Sequence, residues 1–375
     1  MIYRELGRTG YKVSQLGFGA MRLPMNGVDD NKVVDRELAI PMIHAAFEAG
    51  VNYIDTAVGY CNQDSQRAVG DALKGWRDKI VVSTKNHYYG EDEKEWWTNL
   101  ENSLERLDVD YIDIYNHHGI NWKRYEEDVE PRVSKWMRKA RDQGLIKHIC
   151  TSFHDSNEAL IKLVDTGYVE SITLQYNLLN RDLEEGIAYA KEKNVGIVVM
   201  GPVAGGRLGV TSDVLAKLIP GVERVPELAL RFVLSNPNVT LALSGMSTMQ
   251  HVKENVVTAA DKVSMSEEDT ELIREHLVRL AEMAKVYCTG CKYCMPCPQE
   301  VNIPHIFSLY QLGKVYGLWD VARNGYAEFP DQRWVGGKQA DECIECGECE
   351  EKCPQNIQIR EQLKAAHDAL SAQPT

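Results

Sequence analysis

Two sets of side chains in this chain could do chemistry by their types and spacing. The first is a pair of cysteine runs, Cys288-Cys291-Cys294-Cys297 in CTGCKYCMPCP and Cys343-Cys346-Cys349-Cys353 in CIECGECEEKCP, which hold eight of the ten cysteines. Thiolates two residues apart wrap a turn of chain around a cubane, and a proline after the last cysteine turns the backbone away from it. The second run is C-x2-C-x2-C-x3-C-P without exception, and the first is one residue short before its last cysteine. Disulfides are disfavoured because MIYRELGRTG has no apolar signal region, which points to a reducing, cytoplasmic setting. Zinc would want paired knuckles, often with histidine, and has no need of a third and fourth cysteine before a proline. The runs therefore read as iron–sulfur ligands. Cys61 and Cys150 stand alone and read as small buried hydrophobes.

The second set is Asp55, Tyr60, Lys85 and the pair His117-His118, each at or just after the end of a short β-branched run. Together they make a proton-transfer device. A free phenol with a pKa of about 10 gives and retakes protons poorly near neutrality, and an adjacent ammonium favours its phenolate. A carboxylate beside the lysine keeps that ammonium charged and fixed. A neutral imidazole can donate a hydrogen bond to a substrate oxygen and set its orientation.

These groups need a scaffold that brings strand ends together. Runs at 15–20, 52–57, 79–85, 110–117, 147–153, 171–177, 195–201 and 238–245 read as strands, with amphipathic helical stretches between them. Eight such units spaced by about 20–35 residues predict an α/β fold, a closed (β/α)8 TIM barrel rather than an open sheet, with active residues at the C-terminal strand ends. YRELGRTGYKVS predicts a hairpin that caps the barrel bottom. SEEDTELIREHLVRLAEMAK opens with a capping-box pattern from Ser266 to Asp269 and predicts the closing helix of a first domain, residues 1–285. Residues 286–375 then form a second domain, and apolar residues at helical spacing between the cysteine runs predict that it is mainly helical. The net charge of −13 argues against nucleic acid and anionic membranes as partners. VGIVVMGPVAGG, the longest apolar stretch, is too short and too interrupted to span a membrane.

LGFGAMRLP, DTAVGY, STK and DIYNHH, in that order, resemble the successive blocks of the aldo-keto reductase family over about residues 1–285. The resemblance implies Tyr60 as general acid, Lys85 and Asp55 as its tuning pair, and His118 as the carbonyl orienter. The family spacing from Asp113 selects His118 over His117. It also implies an oxidoreductase that moves hydride between NADPH or NADH and a small carbonyl or alcohol. No GxGxxG stands in a strand-turn-helix setting, in keeping with a barrel mode of nucleotide binding. By the same resemblance Ser152 and Gln175 hold the nicotinamide carboxamide and Glu254 and Asn255 the adenine. Phe153 stands where asparagine is usual, Met200 where an aromatic ring is usual, and Gly245 and His251 where Lys and Arg clamp the 2′-phosphate. Losing those donors removes about 1.5–3 kcal/mol per charge-assisted bond, which weakens the case for NADPH, with Arg207 in GPVAGGRLG as a replacement cation.

The C-terminal part resembles a dicluster, ferredoxin-like iron–sulfur domain, and the whole resembles a prokaryotic subgroup of aldo-keto reductases with such a tail. That implies two 4Fe-4S clusters with the fourth cysteine of each run exchanged: Cys288, Cys291, Cys294 and Cys353 on one, Cys343, Cys346, Cys349 and Cys297 on the other. The clusters would either pass single electrons to an electron-transfer protein partner or brace the fold. The competing reading is a barrel without turnover, a nucleotide-sensing electron-transfer or redox-sensor subunit. Aromatics in KNHYYGEDEKEWWTN and GINWKRYEED are expected at the barrel mouth, with helix core the alternative for Trp96-Trp97.

Overall fold

The computed structural model describes residues 1–28, 32–209, 212–216, 222, 224–260, 269, 271–275, 288, 292, 294–332, 335–353 and 357–372. The chain forms two compact units, Met1–Gly205 with Ala229–Ser264, and Gly206–Leu228 with Met265–Thr375.

The first unit is built on alternation. A short hairpin, β1 (Tyr3–Glu5) and β2 (Lys12–Ser14), pairs antiparallel with Tyr3 opposite Ser14. β3 (Leu16–Gly19) follows, and β4 (Met25–Asn26) pairs with β5 (Val33–Val34) outside the main sheet. Seven more strands complete it: β6 (Tyr53–Asp55), β7 (Val81–Asn86), β8 (Ile112–Ile120), β9 (Ile146–Phe153), β10 (Ser171–Gln175), β11 (Gly196–Met200) and β12 (Leu241–Ser244). β3 and β6 to β12 close a parallel barrel, with β12 returning to β3. All eight expected runs are strands of that barrel.

Because side chains alternate across a strand, every second residue points inward. Tyr53, Val81, Ile114, Cys150, Val198, Leu241 and Leu243 fill the interior, with Leu6 and Val13 of the hairpin region packed beneath them. Gly17 makes room for this layer: a Cβ there would lie 2.7 Å from Leu241 and 2.8 Å from Leu243 side-chain carbons. Gly7, at φ +52°, lets the hairpin approach β11, since a Cβ would meet the Gly196 nitrogen at 2.3 Å. Cys150 is a core residue and Cys61 is buried, as the sequence implied.

Helices α1 (Arg36–Glu48), α2 (Ser65–Leu73) and α3 (Glu93–Leu107) follow the early strands. Asp35 and Asp92 cap α1 and α3 by accepting backbone N–H groups of their first turns. Trp96 of α3 is fully buried, with its ring 6.1 Å from those of Tyr115 and Trp136. It is therefore helix core, and the mouth-pocket reading of this residue does not hold. The capping pattern at Ser266 lies outside the described residues.

The second unit is mainly helical: α4 (Ile303–Tyr316), α5 (Trp319–Glu328) and α6 (Ile359–Ser371). Asn302 caps α4 and donates to the Gly336 carbonyl at 2.8 Å. Phe307, Tyr326, Phe329, Leu363 and Ala366 are buried in its core. Ser212 donates to the Tyr316 carbonyl at 2.6 Å, which ties the segment after β11 into this unit. The compact units divide at Ser264 and group Gly206–Leu228 with the C-terminal part. Among the described residues no helix is long and apolar enough to cross a membrane.

Candidate active site

β6 ends on Asp55, β7 carries Lys85 one residue before its end, and β8 runs past His118 with a register shift between His117 and Ile120. All three side chains belong to the inward set of their strands. Lys85, only 2 % exposed, donates to Asp55 Oδ1 at 2.6 Å and to the Thr56 carbonyl at 2.8 Å. Its Nζ lies 4.9 Å from the centre of the Tyr60 ring. The Tyr60 and His118 rings meet edge to face at 6.2 Å. Tyr60 sits at the head of a tight loop in which Cys61, Asn62 and Gln63 all have positive φ, at 50°, 51° and 66°. Three consecutive left-handed residues other than glycine are costly, and such strain persists where surrounding contacts over-determine the backbone. Here the Cys61 thiol reaches the Ala20 and Met21 carbonyls, and the Ser65 N–H donates to the Tyr60 carbonyl at 3.2 Å.

The electrostatics divide the roles. Burial pushes the Tyr60 phenol above its ordinary pKa, the Lys85 ammonium pulls it down, and the Asp55 carboxylate opposes that pull. Burial alone would depress Lys85, but Asp55 and Tyr60 outweigh it and hold the ammonium charged. His118 is driven down to about 3 by burial and by the fields of Lys85, His87 and His154, so it is a neutral imidazole at any working pH. His117 also falls to about 3 through burial. Its Nε2, however, lies 3.0 Å from the Tyr168 hydroxyl and its ring stacks on Tyr89 at 6.4 Å. Tyr60 thus has His118, and not His117, as its ring neighbour. Tyr89 donates to the His118 carbonyl at 3.0 Å, and Arg124 covers the Tyr89 ring at 4.8 Å. Trp122, Tyr125 and Tyr168 continue this aromatic wall. Because the ammonium is what lowers the phenol, Lys85→Met should raise the pH at which alcohol oxidation switches on, moving the rising limb to higher pH. A profile of log rate against pH checks this, and an unmoved limb at unchanged rate removes Lys85 from the assignment.

Of the residues considered for nucleotide binding, Ser152, Phe153, Gln175 and Met200 stand at or beside strand ends, whereas Glu254 and Asn255 lie on the helix Met249–Ala260. Ser152 is buried on β9, and its Oγ accepts from the Gly119 N–H at 2.7 Å. Gln175 and Met200 are register partners at the ends of β10 and β11. Phe153 is buried. Asn255 donates to Ser244 Oγ at 2.9 Å, and Glu254 accepts from Gln250 at 2.7 Å. His251 lies 3.4 Å from the Ser247 hydroxyl. Beside Gly245 the structure sets a cation that sequence reasoning missed. A Cβ at Gly245 would meet the Arg22 Cδ at 3.6 Å, and the Arg22 guanidinium donates to the Gly205 carbonyl at 3.1 Å. Arg207 belongs to the second unit, where its charge acts on His305.

In the second unit Cys294, Cys297, Cys343, Cys346 and Cys349 line one cavity together with Lys352 and Arg360. Among the described residues no three donors converge as they would on a single ion. The thiols stand instead around the wall of this space. Arg360 holds the surrounding loop by donating to Glu350 Oε2 at 2.8 and 3.0 Å and to the Glu345 carbonyl at 3.5 Å. The five thiols and the enclosed space fit a cluster held by cysteines from both runs. Cys291 lies outside the described residues.

A closed parallel barrel with a buried lysine–carboxylate pair beneath a tyrosine, joined to a cysteine-lined unit, defines a class of barrel oxidoreductase with an iron–sulfur domain. Residues 15–213 match the model of the aldo/keto reductase family, more than half of the chain, and the chain belongs to that family. Residues 287–358 match the 4Fe-4S dicluster domain. Among similar proteins is the uncharacterized oxidoreductase YqkF of Bacillus subtilis, 27% identical over 307 residues, covering 73% of this chain and 95% of the relative. Another is the NADH-specific methylglyoxal reductase of Escherichia coli, 26% identical over 321 residues, covering 72% of this chain and 96% of the relative. Among solved structures, the holo form of aldo-keto reductase AKR11C1 from Bacillus halodurans superposes with a TM-score of 0.63 at 28% identity, covering 73% of this chain and 96% of that one. The protein is accordingly an NAD(P)H-dependent oxidoreductase of the aldo-keto reductase type that carries an iron–sulfur domain.

Proposed function

We propose that the barrel moves hydride between a nicotinamide and a small carbonyl or alcohol, with Tyr60 as its proton donor and acceptor. The observation that carries this reading is the buried Lys85–Asp55 pair set against the Tyr60 ring beside a neutral His118. When bound, the nicotinamide supplies hydride to the carbonyl carbon or takes it from the alcohol carbon. In reduction the Tyr60 hydroxyl gives its proton to the oxygen on which negative charge develops, and Lys85 stabilises the phenolate left behind. In oxidation the phenolate takes the alcohol proton. His118, uncharged, donates a hydrogen bond to the same oxygen and fixes its direction. Ser152 and Gln175 are assigned to the nicotinamide amide, Asn255 and Glu254 to the adenine, and Arg207 to a 2′-phosphate.

We assign two 4Fe-4S clusters to the C-terminal unit. Cys288, Cys291, Cys294 and Cys353 would hold one, and Cys343, Cys346, Cys349 and Cys297 the other. Clusters of this kind supply single electrons when bound. Support for the exchanged ligation is that Cys297 lines the same cavity as Cys343, Cys346 and Cys349, with Cys294 also on its wall. Cys346 is exposed and its neighbour Ile344 is 63 % exposed, which suits delivery to an electron-transfer protein. Cytoplasmic placement follows from the chemistry of so many reduced thiols.

Steady-state assays with NADH and NADPH over a panel of carbonyls test the reading, which fails if none is turned over. With Gly245 and His251 at the phosphate positions, the preference between the two nucleotides should stay below about a hundredfold, roughly 2–3 kcal/mol. An NADH-specific methylglyoxal reductase stands among the similar proteins, which supports a weak preference. Fluorescence titration of each measures it, and a thousandfold preference for NADPH would point to Arg207 or Arg22 as the clamping cation.

A further inference from the structure

Beneath the Asp55–Lys85 pair lies a polar layer where barrel interiors are ordinarily packed with branched apolar side chains. Ser83 and Asn116 stand two residues before Lys85 and His118, so strand alternation turns both inward under the site. Both are fully buried. The register puts Asp55 opposite Ser83 and Lys85 opposite Asn116.

The direction of their hydrogen bonds is fixed from below. Asn116 Nδ2 donates to the Thr84 carbonyl at 3.2 Å and to Ser83 Oγ at 3.0 Å. A flipped amide would set its oxygen against the Thr84 carbonyl, so the nitrogen must face this way. Ser83 Oγ therefore accepts from Asn116, and its own proton goes to Asp55 Oδ2 at 2.8 Å. The two carboxylate oxygens are thus divided, Oδ2 to the serine and Oδ1 to the Lys85 ammonium at 2.6 Å. Among the described residues Asn116 Oδ1 is left buried without a partner, a cost of about 1–3 kcal/mol that a merely space-filling residue would not incur.

We propose that Asn116 and Ser83 are positioning residues: a one-way amide–hydroxyl–carboxylate relay that orients Asp55 and draws its charge toward Oδ2, leaving more of the Lys85 field for Tyr60. The inference deepens the hydride-transfer reading and rests on it for its catalytic consequence. The titratable groups acting on the pair or its tyrosine are Tyr60 on the loop after β6, Tyr53 below on β6 and His118 on β8, while Cys150 and Asp113 act on Tyr53 and Asp113 is paired with Arg77. The inward positions of β3, Gly17 and Gly19, carry no side chain. Lys85 is the cation set against the Tyr60 ring, so a change in Asp55 reaches Tyr60 mainly through it.

The experiment uses the full cluster-loaded chain and two readouts. The first is the infrared carboxylate stretch of Asp55, identified by its loss in Asp55→Asn. The second is the pH limb of alcohol oxidation. Ser83→Ala should shift the band and move the limb about one pH unit to the alkaline side, with KM and nucleotide affinity within about twofold of the parent. Asn116→Leu should do the same to a smaller extent, and it serves if Ser83→Ala does not fold. In the Asp55→Asn background Ser83→Ala should add no further shift of the limb. An unmoved Asp55 band in the serine variant, or in the asparagine variant if only that one folds, overturns the relay. A moved band in a parent that turns over no carbonyl leaves the orientation standing and removes the hydride-transfer reading.

Discussion

Tyr60→Phe should lower carbonyl reduction by about three orders of magnitude while leaving nicotinamide binding nearly intact, since a general acid contributes about 10²–10⁴-fold. The substitution removes one hydroxyl and keeps the ring. The edge-to-face contact with His118 and the approach of the Lys85 ammonium to the ring face both survive it. The two titratable groups set against the Tyr60 ring do not replace it. His118 is neutral with its pKa near 3 and cannot pass a proton and recover it near neutrality. Lys85 is engaged with Asp55 and the Thr56 carbonyl. Single-turnover reduction and nucleotide fluorescence, measured on the same sample, separate the chemical step from binding. A variant that keeps turnover within a few-fold of the parent would show that the proton comes from elsewhere.

Anaerobically prepared protein should contain close to eight irons and eight acid-labile sulfides, and Cys353→Ala should damage the cluster of the first cysteine run although Cys353 belongs to the second. Thiolates of two runs that exchange their fourth members make each cluster a crosslink between distant parts of the chain. Cys297 lines one cavity with Cys343, Cys346 and Cys349, as such an exchange requires, and Cys294 lines it too. Cys297→Ala should then damage the cluster of the second run, held otherwise by a loop that Arg360 fastens through Glu350 and Glu345. Iron and sulfide analysis with EPR of the reduced protein reads both effects. About four irons and one uncoupled signal in fully reconstituted protein would leave a single cluster.

The barrel was legible because alternation and β-branching are local properties, and each of the eight runs reappears as a strand. Strand ends were less so: β8 continues to Ile120 through its register shift, and β12 begins at Leu241 rather than 238. Asp55, Lys85 and His118 could be singled out as candidates beside Tyr60 because strand ends at one face of a barrel converge whatever lies between them. Ser83 and Asn116 carried a signal of the same kind, a polar residue two positions before each inward-facing site residue, and it could have been read. The rest depends on contacts between distant segments. Trp96 looks alike in sequence whether it lines a pocket or fills a helix interface, and Tyr115 and Trp136 decide the matter. That Gly206–Leu228 folds with the C-terminal unit follows from bonds such as Ser212 to Tyr316, which no local pattern announces. Arg22 escaped notice for a related reason, since only the chain path brings it to Gly245.

The most direct test of the central claim is isotope transfer from nicotinamide deuterated at C4 to a carbonyl substrate under anaerobic conditions. Direct hydride transfer with protonation from Tyr60 places deuterium on the carbinol carbon and solvent hydrogen on its oxygen, and the label transfer falls with the rate in Tyr60→Phe. Product carrying no deuterium at that carbon, or no product from any carbonyl offered, would contradict it.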